Sequence, residues 1–131
     1  MTETVIKYVN EKYGVQPEFL WENNFDDGAL RHSDTKKWFG IIMMNTKRSV
    51  LGLSGDGRVD VMNVKANPLL IERLIDGKGY LLAYHMNKRH WITLLLDGSV
   101  DEKALFALID KSYELTRKKS IVKAPRRGNK T

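Results

Sequence analysis

Apolar side chains in the first dozen residues recur at three- and four-residue steps. Val5, Ile6, Val9 and Tyr13 share one face of a helix predicted over Thr2 to Tyr13. Thr2 is its expected N-cap, Gly14 its stop, and Pro17 bars continuation. Phe19 to Leu30 reads as a short strand and a turn around Asp26-Asp27-Gly28, with a second strand, about Ala29 to Ser33, paired to it. Lys37-Trp38-Phe39-Gly40-Ile41-Ile42-Met43-Met44 is a continuous apolar run with β-formers, as in a strand buried on both faces. A polar loop follows over Asn45 to Ser49. Strands are then predicted over Val50 to Ser54 and Arg58 to Lys65, joined through Gly55-Asp56-Gly57. Val59 and Val61 alternate with Asp60 and Met62, which predicts one buried face.

Asn67-Pro68 opens a second helix: asparagine caps free N–H groups, and proline in the first turn sacrifices no hydrogen bond. Its apolar stripe is Leu70, Ile71, Leu74 and Ile75, ended by Gly77. Tyr80 to Met86 reads as extended, and Trp91 to Leu96 as the last strand, closed by Asp97-Gly98. Ser99 and Glu102 have capping-box spacing ahead of a third helix carrying Leu105, Leu108, Ile109 and Leu115. The order is α-β(n)-α-β-α with short connections. This pattern predicts an α+β two-layer sandwich, an antiparallel sheet with helices on one face. Residues 1–116 are expected to form a single domain and 117–131 a disordered basic tail.

Charge sharpens that division. Of 22 basic residues, Arg117, Lys118, Lys119, Lys123, Arg126, Arg127 and Lys130 follow Leu115 with no acid among them. Without them, 15 basic residues face 16 acidic ones, so the net charge of +6 belongs to the tail. Such a tail attracts any polyanion without sequence preference. The absence of cysteine excludes disulfides and thiolate chemistry. No apolar run approaches the roughly 20 residues a membrane-spanning helix needs. The N-terminus lacks the basic head and apolar core of a signal peptide, and a cytoplasmic location is expected.

Catalytic patterns are missing. There is no nucleophile elbow and no phosphate-binding glycine loop, and Asp26, Asp27 and Asp60 have nothing in the sequence to bring them together. No enzyme activity is expected. His85 and His90 are five residues apart, with His32 the remaining histidine; that spacing fits no common metal motif. Glu3 and Glu11 on the first helix alternate with Lys7 and Lys12, unlike an acidic iron-binding ridge. No metal and no cofactor are therefore expected.

The most distinctive stretch is Tyr84-His85-Met86-Asn87-Lys88-Arg89-His90-Trp91-Ile92-Thr93. It resembles the signature of the MmcQ/YjbR family, in which a His-Met-Asn-Lys-x-His-Trp run precedes the last strand. Lys37-Trp38-Phe39, Val64-Lys65-Ala66-Asn67-Pro68 and Ser112-Tyr113 agree in order, and the resemblance covers roughly residues 1 to 118. It implies a compact YjbR-like fold, related in outline to frataxin-like (CyaY-like) and secretion-chaperone-like folds. It also implies a DNA-binding-like "double wing" in which hairpins reach toward nucleic acid.

The candidate site follows from residue chemistry. Lys88 and Arg89 suit phosphates; Tyr84, His85, His90 and Trp91 suit base stacking or the sheet core; Asn87 suits a base edge. Lys47, Arg48 and Arg58 at the hairpins, with Lys65 nearby, would form the wings. The plain structural alternative is that Met86 and Trp91 pack inward and the charges are merely solvated. The expected partner is DNA, bound with low specificity by a monomer or weak homodimer. The competing expectation is a chaperone-like protein-interaction module docking on an open sheet face or on Tyr84–Trp91. A small-ligand site lined by Trp38, Trp91 and His85 is a third.

Overall fold

The structure is a computed structural model describing residues 1–21 and 24–117. The expected tail, Arg117 apart, lies outside the described residues. Helix α1 spans Thr2–Tyr13, followed by strands β1 (Glu18–Trp21), β2 (Asn24–Arg31) and β3 (Trp38–Lys47). A single 3₁₀ turn, Arg48–Leu51, leads toward β4 (Arg58–Lys65). Then come α2 (Pro68–Leu74), β5 (Tyr80–Leu82), β6 (Trp91–Leu95) and α3 (Glu102–Thr116). The strands form one sheet in the order β1-β2-β3-β4-β6-β5, antiparallel at every step.

All three helices cover the same face. Val5 and Val9 from α1, Ile71 from α2, and Leu105, Leu108 and Ile109 from α3 pack on Leu30, Phe39, Ile42, Met62, Ile92 and Leu94. Each large apolar side chain fully buried here contributes about 1.5–3 kcal/mol. The α+β sandwich expected from the pattern is what the chain adopts.

Polar contacts fix the helices in place. Asp110 on α3 accepts hydrogen bonds from Tyr8 and Tyr13 of α1 and pairs with Lys12 at 2.9 Å. Burial alone would raise the Asp110 carboxyl, but these donors outweigh it and hold its pKa below the usual value. Tyr8 stacks on Phe106 and Tyr13 on Tyr113, with ring centroids 3.9 and 3.8 Å apart. Ser112 is fully buried where β3 and β4 diverge. Its hydroxyl donates to the Phe39 carbonyl and accepts from the Lys65 N–H at 2.8 Å. The Ser112-Tyr113 pair noted in the sequence is thus a clasp between α3 and the sheet.

Several boundaries differ from expectation, each for a local reason. Asp26-Asp27-Gly28 is not a turn but lies inside β2, with Asp27 opposite Met43 and Gly28 opposite Ile42. Gly28 answers a packing demand: a Cβ there would lie 2.8 Å from the Cβ of Pro17. Asn45 to Lys47 continue β3 beyond a bulge instead of forming a loop. Val50 to Ser54 is no strand, because Arg48 turns the chain into 3₁₀ geometry and its Nε donates to the Ser54 carbonyl at 2.8 Å. Thr2 sits within α1 and donates to Asp60, leaving Met1 as N-cap. Asp101, not Ser99, caps α3, accepting from the Lys103 and Ala104 N–H groups. Helix α2 stops at Leu74, before Gly77, and β5 stops at Leu82, short of Met86.

The second sheet face is not open. Val61 and Met62, on opposite sides of β4, are both fully buried, so β4 has two buried faces at its centre. Ile41, Met43, Val59, Val61, Leu81 and Leu95 form a second apolar cluster on the helix-free side. Leu51, Leu53, Tyr84 and Met86 pack over it.

Candidate functional site

The Tyr84–Trp91 segment owes its position to a polar pair buried in the sheet. Asn63 on β4 and Thr93 on β6 lie opposite each other on the helix-free face, and neither is exposed. The Thr93 hydroxyl donates to Asn63 Oδ1 and accepts from the Tyr84 N–H at 2.8 Å. Asn63 Nδ2 donates to the Tyr84 carbonyl at 2.8 Å. Both backbone groups of Tyr84 are thereby pinned to the sheet, and the chain leaves β5 across its face. Immediately afterwards His85 adopts the left-handed conformation, with φ 63°. A histidine tolerates this region at some cost, and its exposed imidazole lies against the Tyr84 ring, with centroids 3.9 Å apart.

The rest of the segment is a tight turn. Asn87 Oδ1 accepts from the Arg89 and His90 N–H groups at 2.8 and 3.2 Å, and the Asn87 carbonyl accepts from Trp91 N–H at 3.0 Å. The side-chain oxygen of Asn87 is committed to the loop and cannot also read a base edge. Lys88, Arg89 and His90 are exposed. His90 contributes its carbonyl to the Ala66 N–H, joining the turn to the start of α2.

Six of the expected site residues come together in a row of adjoining clefts. Lys47 and Arg58 line one beside Gly55-Asp56-Gly57 and also the next, where they meet Tyr84 and His85. Tyr84, His85 and Lys88 line a third with Val50 and Leu82, and Lys88 and Arg89 a fourth against α2. The row crosses the helix-free face and passes over the β5 edge. Among the described residues none of Lys47, Arg58, Lys88 and Arg89 forms an ion pair. Arg58 does hold the bulge, its Nη1 donating to the Asn45 carbonyl at 2.8 Å.

The structure separates the other candidates from this row. Arg48 is half-buried and spent on the Ser54 carbonyl. Lys65 stands at the far end of β4, opposite Trp91. Trp38 packs into the second cluster and does not line the cleft that holds His85. His32 is buried under α3, its Nε2 2.8 Å from the Thr116 hydroxyl, out of reach of the other histidines. Burial lowers its pKa, and the nearby Asp34 carboxylate and the Tyr113 backbone only partly oppose this.

Two acids also enter the row. Asp26 and Asp27 line the Lys47–His85 cleft, an open depression of about 280 Å³ that Met43 and Val50 also line. Partial burial raises the Asp27 pKa, repulsion from Asp26 adds to this, and His85 opposes it. Asn45, itself left-handed at φ 56°, donates through Nδ2 to Asp26 and through its N–H to Asp60. Asn45, at the bulge after Met43, thereby links Asp26 on β2 to Asp60 on β4, a contact that sequence reasoning had no means to foresee.

The YjbR family model matches residues 10–115. The chain belongs to the YjbR family. A Bacillus subtilis relative, the uncharacterized protein YyaQ, is 41% identical over 115 residues, covering 88% of this chain and 97% of its own length. The Escherichia coli K12 protein YjbR is 47% identical over only 30 residues, 23% of this chain and 25% of its own. A Pseudomonas syringae crystal structure superposes with a TM-score of 0.84 at 40% identity, covering 89% of this chain and 99% of that one. A Deinococcus radiodurans protein with a DUF419 domain shares the fold, with a TM-score of 0.65 at 19% identity over 88% of this chain and 77% of its own. Among the described residues no helix is long and apolar enough to cross a membrane.

Proposed function

We propose that this YjbR-family protein is a non-enzymatic, cytoplasmic nucleic-acid-binding module, with DNA as its partner. The observation that carries the reading is the row of cations on the helix-free side, none of which forms an ion pair among the described residues. Lys47 and Arg58 at the bulged β3–β4 end, and Lys88 and Arg89 on the Asn87 turn, flank the Tyr84 and His85 rings. Exposed cations along a groove position a phosphate backbone, and rings between them stack on bases. The anchored Tyr84 backbone supplies the rigidity such a surface needs.

The experiment is fluorescence anisotropy with labelled duplex and single-stranded DNA across a salt series. It compares the full chain, residues 1–117, and a Lys88→Ala/Arg89→Ala variant of each. The folded body is expected to bind alone, with log K falling about 0.9 per neutralised phosphate for duplex, and the double variant to lower that slope by about two contacts. Binding that vanishes on removal of residues 118–131 would assign DNA affinity to the charge they carry and refute the site.

A second reading, a protein-docking surface, draws on Val50, Leu69 and Leu82, which are 51%, 67% and 56% exposed along the same row. A stoichiometric partner that survives nuclease and is lost on Leu82→Asp would favour it over the first.

A further inference from the structure

The cleft between Lys47 and His85 contains a feature that phosphate binding does not explain. Asp27 points into it from β2, on the same sheet face as Met43. Among the described residues Asp27 has neither a salt-bridge partner nor a hydrogen-bond donor. A carboxylate repels phosphate and only accepts hydrogen bonds, so its place among Lys47, Arg58 and His85 suits a ligand group that brings N–H donors. The volume of about 280 Å³ lies at the lower limit of small-ligand pockets, enough for one flat ring system rather than an extended molecule. Met43 and Val50 are among its apolar lining residues, and Tyr84 and His85, whose ring centroids lie 3.9 Å apart, line it too.

Resting on the nucleic-acid reading, we infer that this cleft takes a single unstacked guanine of a bound strand, its Watson–Crick edge on Asp27 and its flanking phosphate on Lys47 and Arg58. The selection is chemical. An ionised carboxylate only accepts, and guanine presents two parallel donors, N1–H and the N2 amino group, side by side. Adenine and cytosine each set a ring-nitrogen acceptor beside their amino group, and thymine flanks its one N–H with two carbonyls. Each of those would place a lone pair against the carboxylate. Stacking on Tyr84 and His85 adds affinity without choosing among bases.

The test uses the full chain and fluorescein-labelled ten-residue oligothymidylates whose central base is guanine, inosine, adenine, cytosine or thymine, read by anisotropy. Guanine is expected to bind about tenfold tighter than adenine, cytosine or thymine, with inosine between because it lacks the N2 amino group. Asp27→Asn should erase that preference, so that the five strands bind alike. In amide NMR spectra of the unmodified protein, guanosine monophosphate should shift Asp27, Tyr84 and His85 more than adenosine monophosphate does. Equal binding of all five strands, or a guanine preference that survives Asp27→Asn, would overturn the cleft assignment and leave the backbone-binding surface standing. No binding of any strand would remove both.

Discussion

Replacing Thr93 with valine tests whether the Asn63–Thr93 pair holds the Tyr84 loop. Valine keeps the shape of threonine, so the packing of β6 against β4 and β5 survives and no cavity opens. What disappears is one hydroxyl that serves two partners. Asn63 Oδ1 loses its donor, and the Tyr84 N–H loses its acceptor. Asn63 and Thr93 are both 0% exposed, so water cannot replace the lost bond at Asn63. A buried polar group left without a partner costs about 1–3 kcal/mol, and the half-buried Tyr84 N–H adds less. The expected destabilisation is about 3 kcal/mol, or roughly 10 °C in Tm for a domain of this size.

Urea denaturation measures the total, and hydrogen exchange locates it. Amides of Tyr84, Arg89 and His90 should exchange faster in Thr93→Val, beyond what global destabilisation gives to amides in β3 and β4. Asn63→Leu with Thr93→Val should be less destabilised than the sum of the single variants by about 1 kcal/mol or more, since one orphan group disappears with its partner. A cost below 1 kcal/mol, additive single effects and unchanged exchange at Tyr84 would together refute the anchoring argument.

Ser112→Ala leaves the Phe39 carbonyl and the Lys65 N–H without their shared partner and should cost about 2 kcal/mol by chemical denaturation, with Ser112→Thr failing to rescue because the site is fully packed. At His85, glycine should be neutral or stabilising by up to about 1 kcal/mol and valine destabilising by about 1–2 kcal/mol, because only the β-branched residue resists φ 63°. His32 has a folded pKa below its ordinary 6.5, so the unfolded chain binds more protons as pH falls through 6.5 and stability declines until the lower folded pKa is passed. Urea midpoints between pH 7.5 and 5.5 should show that loss, and ring-proton NMR should find His32 titrating below 6.5; Asp27, whose pKa is raised, acts with the opposite sign and is removed by Asp27→Asn.

The fold was legible where one physical signal decided the outcome. Helix α1 and strand β4 begin and end where periodicity placed them, and Asn67-Pro68 opens α2 as capping chemistry requires. The sequence misled where a tertiary contact overrode a local rule. Gly28 reads as a turn residue, yet it is needed because Pro17 crosses over β2. Val50 to Ser54 has the composition of a strand, but Arg48 captures the Ser54 carbonyl and closes the chain on itself. Tyr84 to Trp91 was recognisable from its unusual concentration of polar and aromatic types. The geometry within it was not, since the Asn87 side-chain oxygen is engaged by its own turn and the Asn63–Thr93 anchor lies on strands 30 residues apart in sequence.

Two locally costly features meet at Tyr84 and His85: a polar pair buried in an otherwise apolar sheet, and a left-handed histidine. An apolar pair at positions 63 and 93 would extend the second cluster of Ile41, Val61 and Leu81, at no desolvation cost. It would also release the Tyr84 backbone, and the loop could then follow the direction of β5 away from the sheet. Departures from local preference that converge on one short segment are expected where geometry has a use. The basic residues of the hairpin show the contrast, since Arg48 and Arg58 first satisfy carbonyls that the bulge and the 3₁₀ turn leave open. Charge alone would therefore have weighted Arg48 and Lys65 equally with Lys88. Anchoring distinguishes them, because the Asn87 turn holds Lys88 and Arg89 without using their side chains, leaving both cations for a ligand.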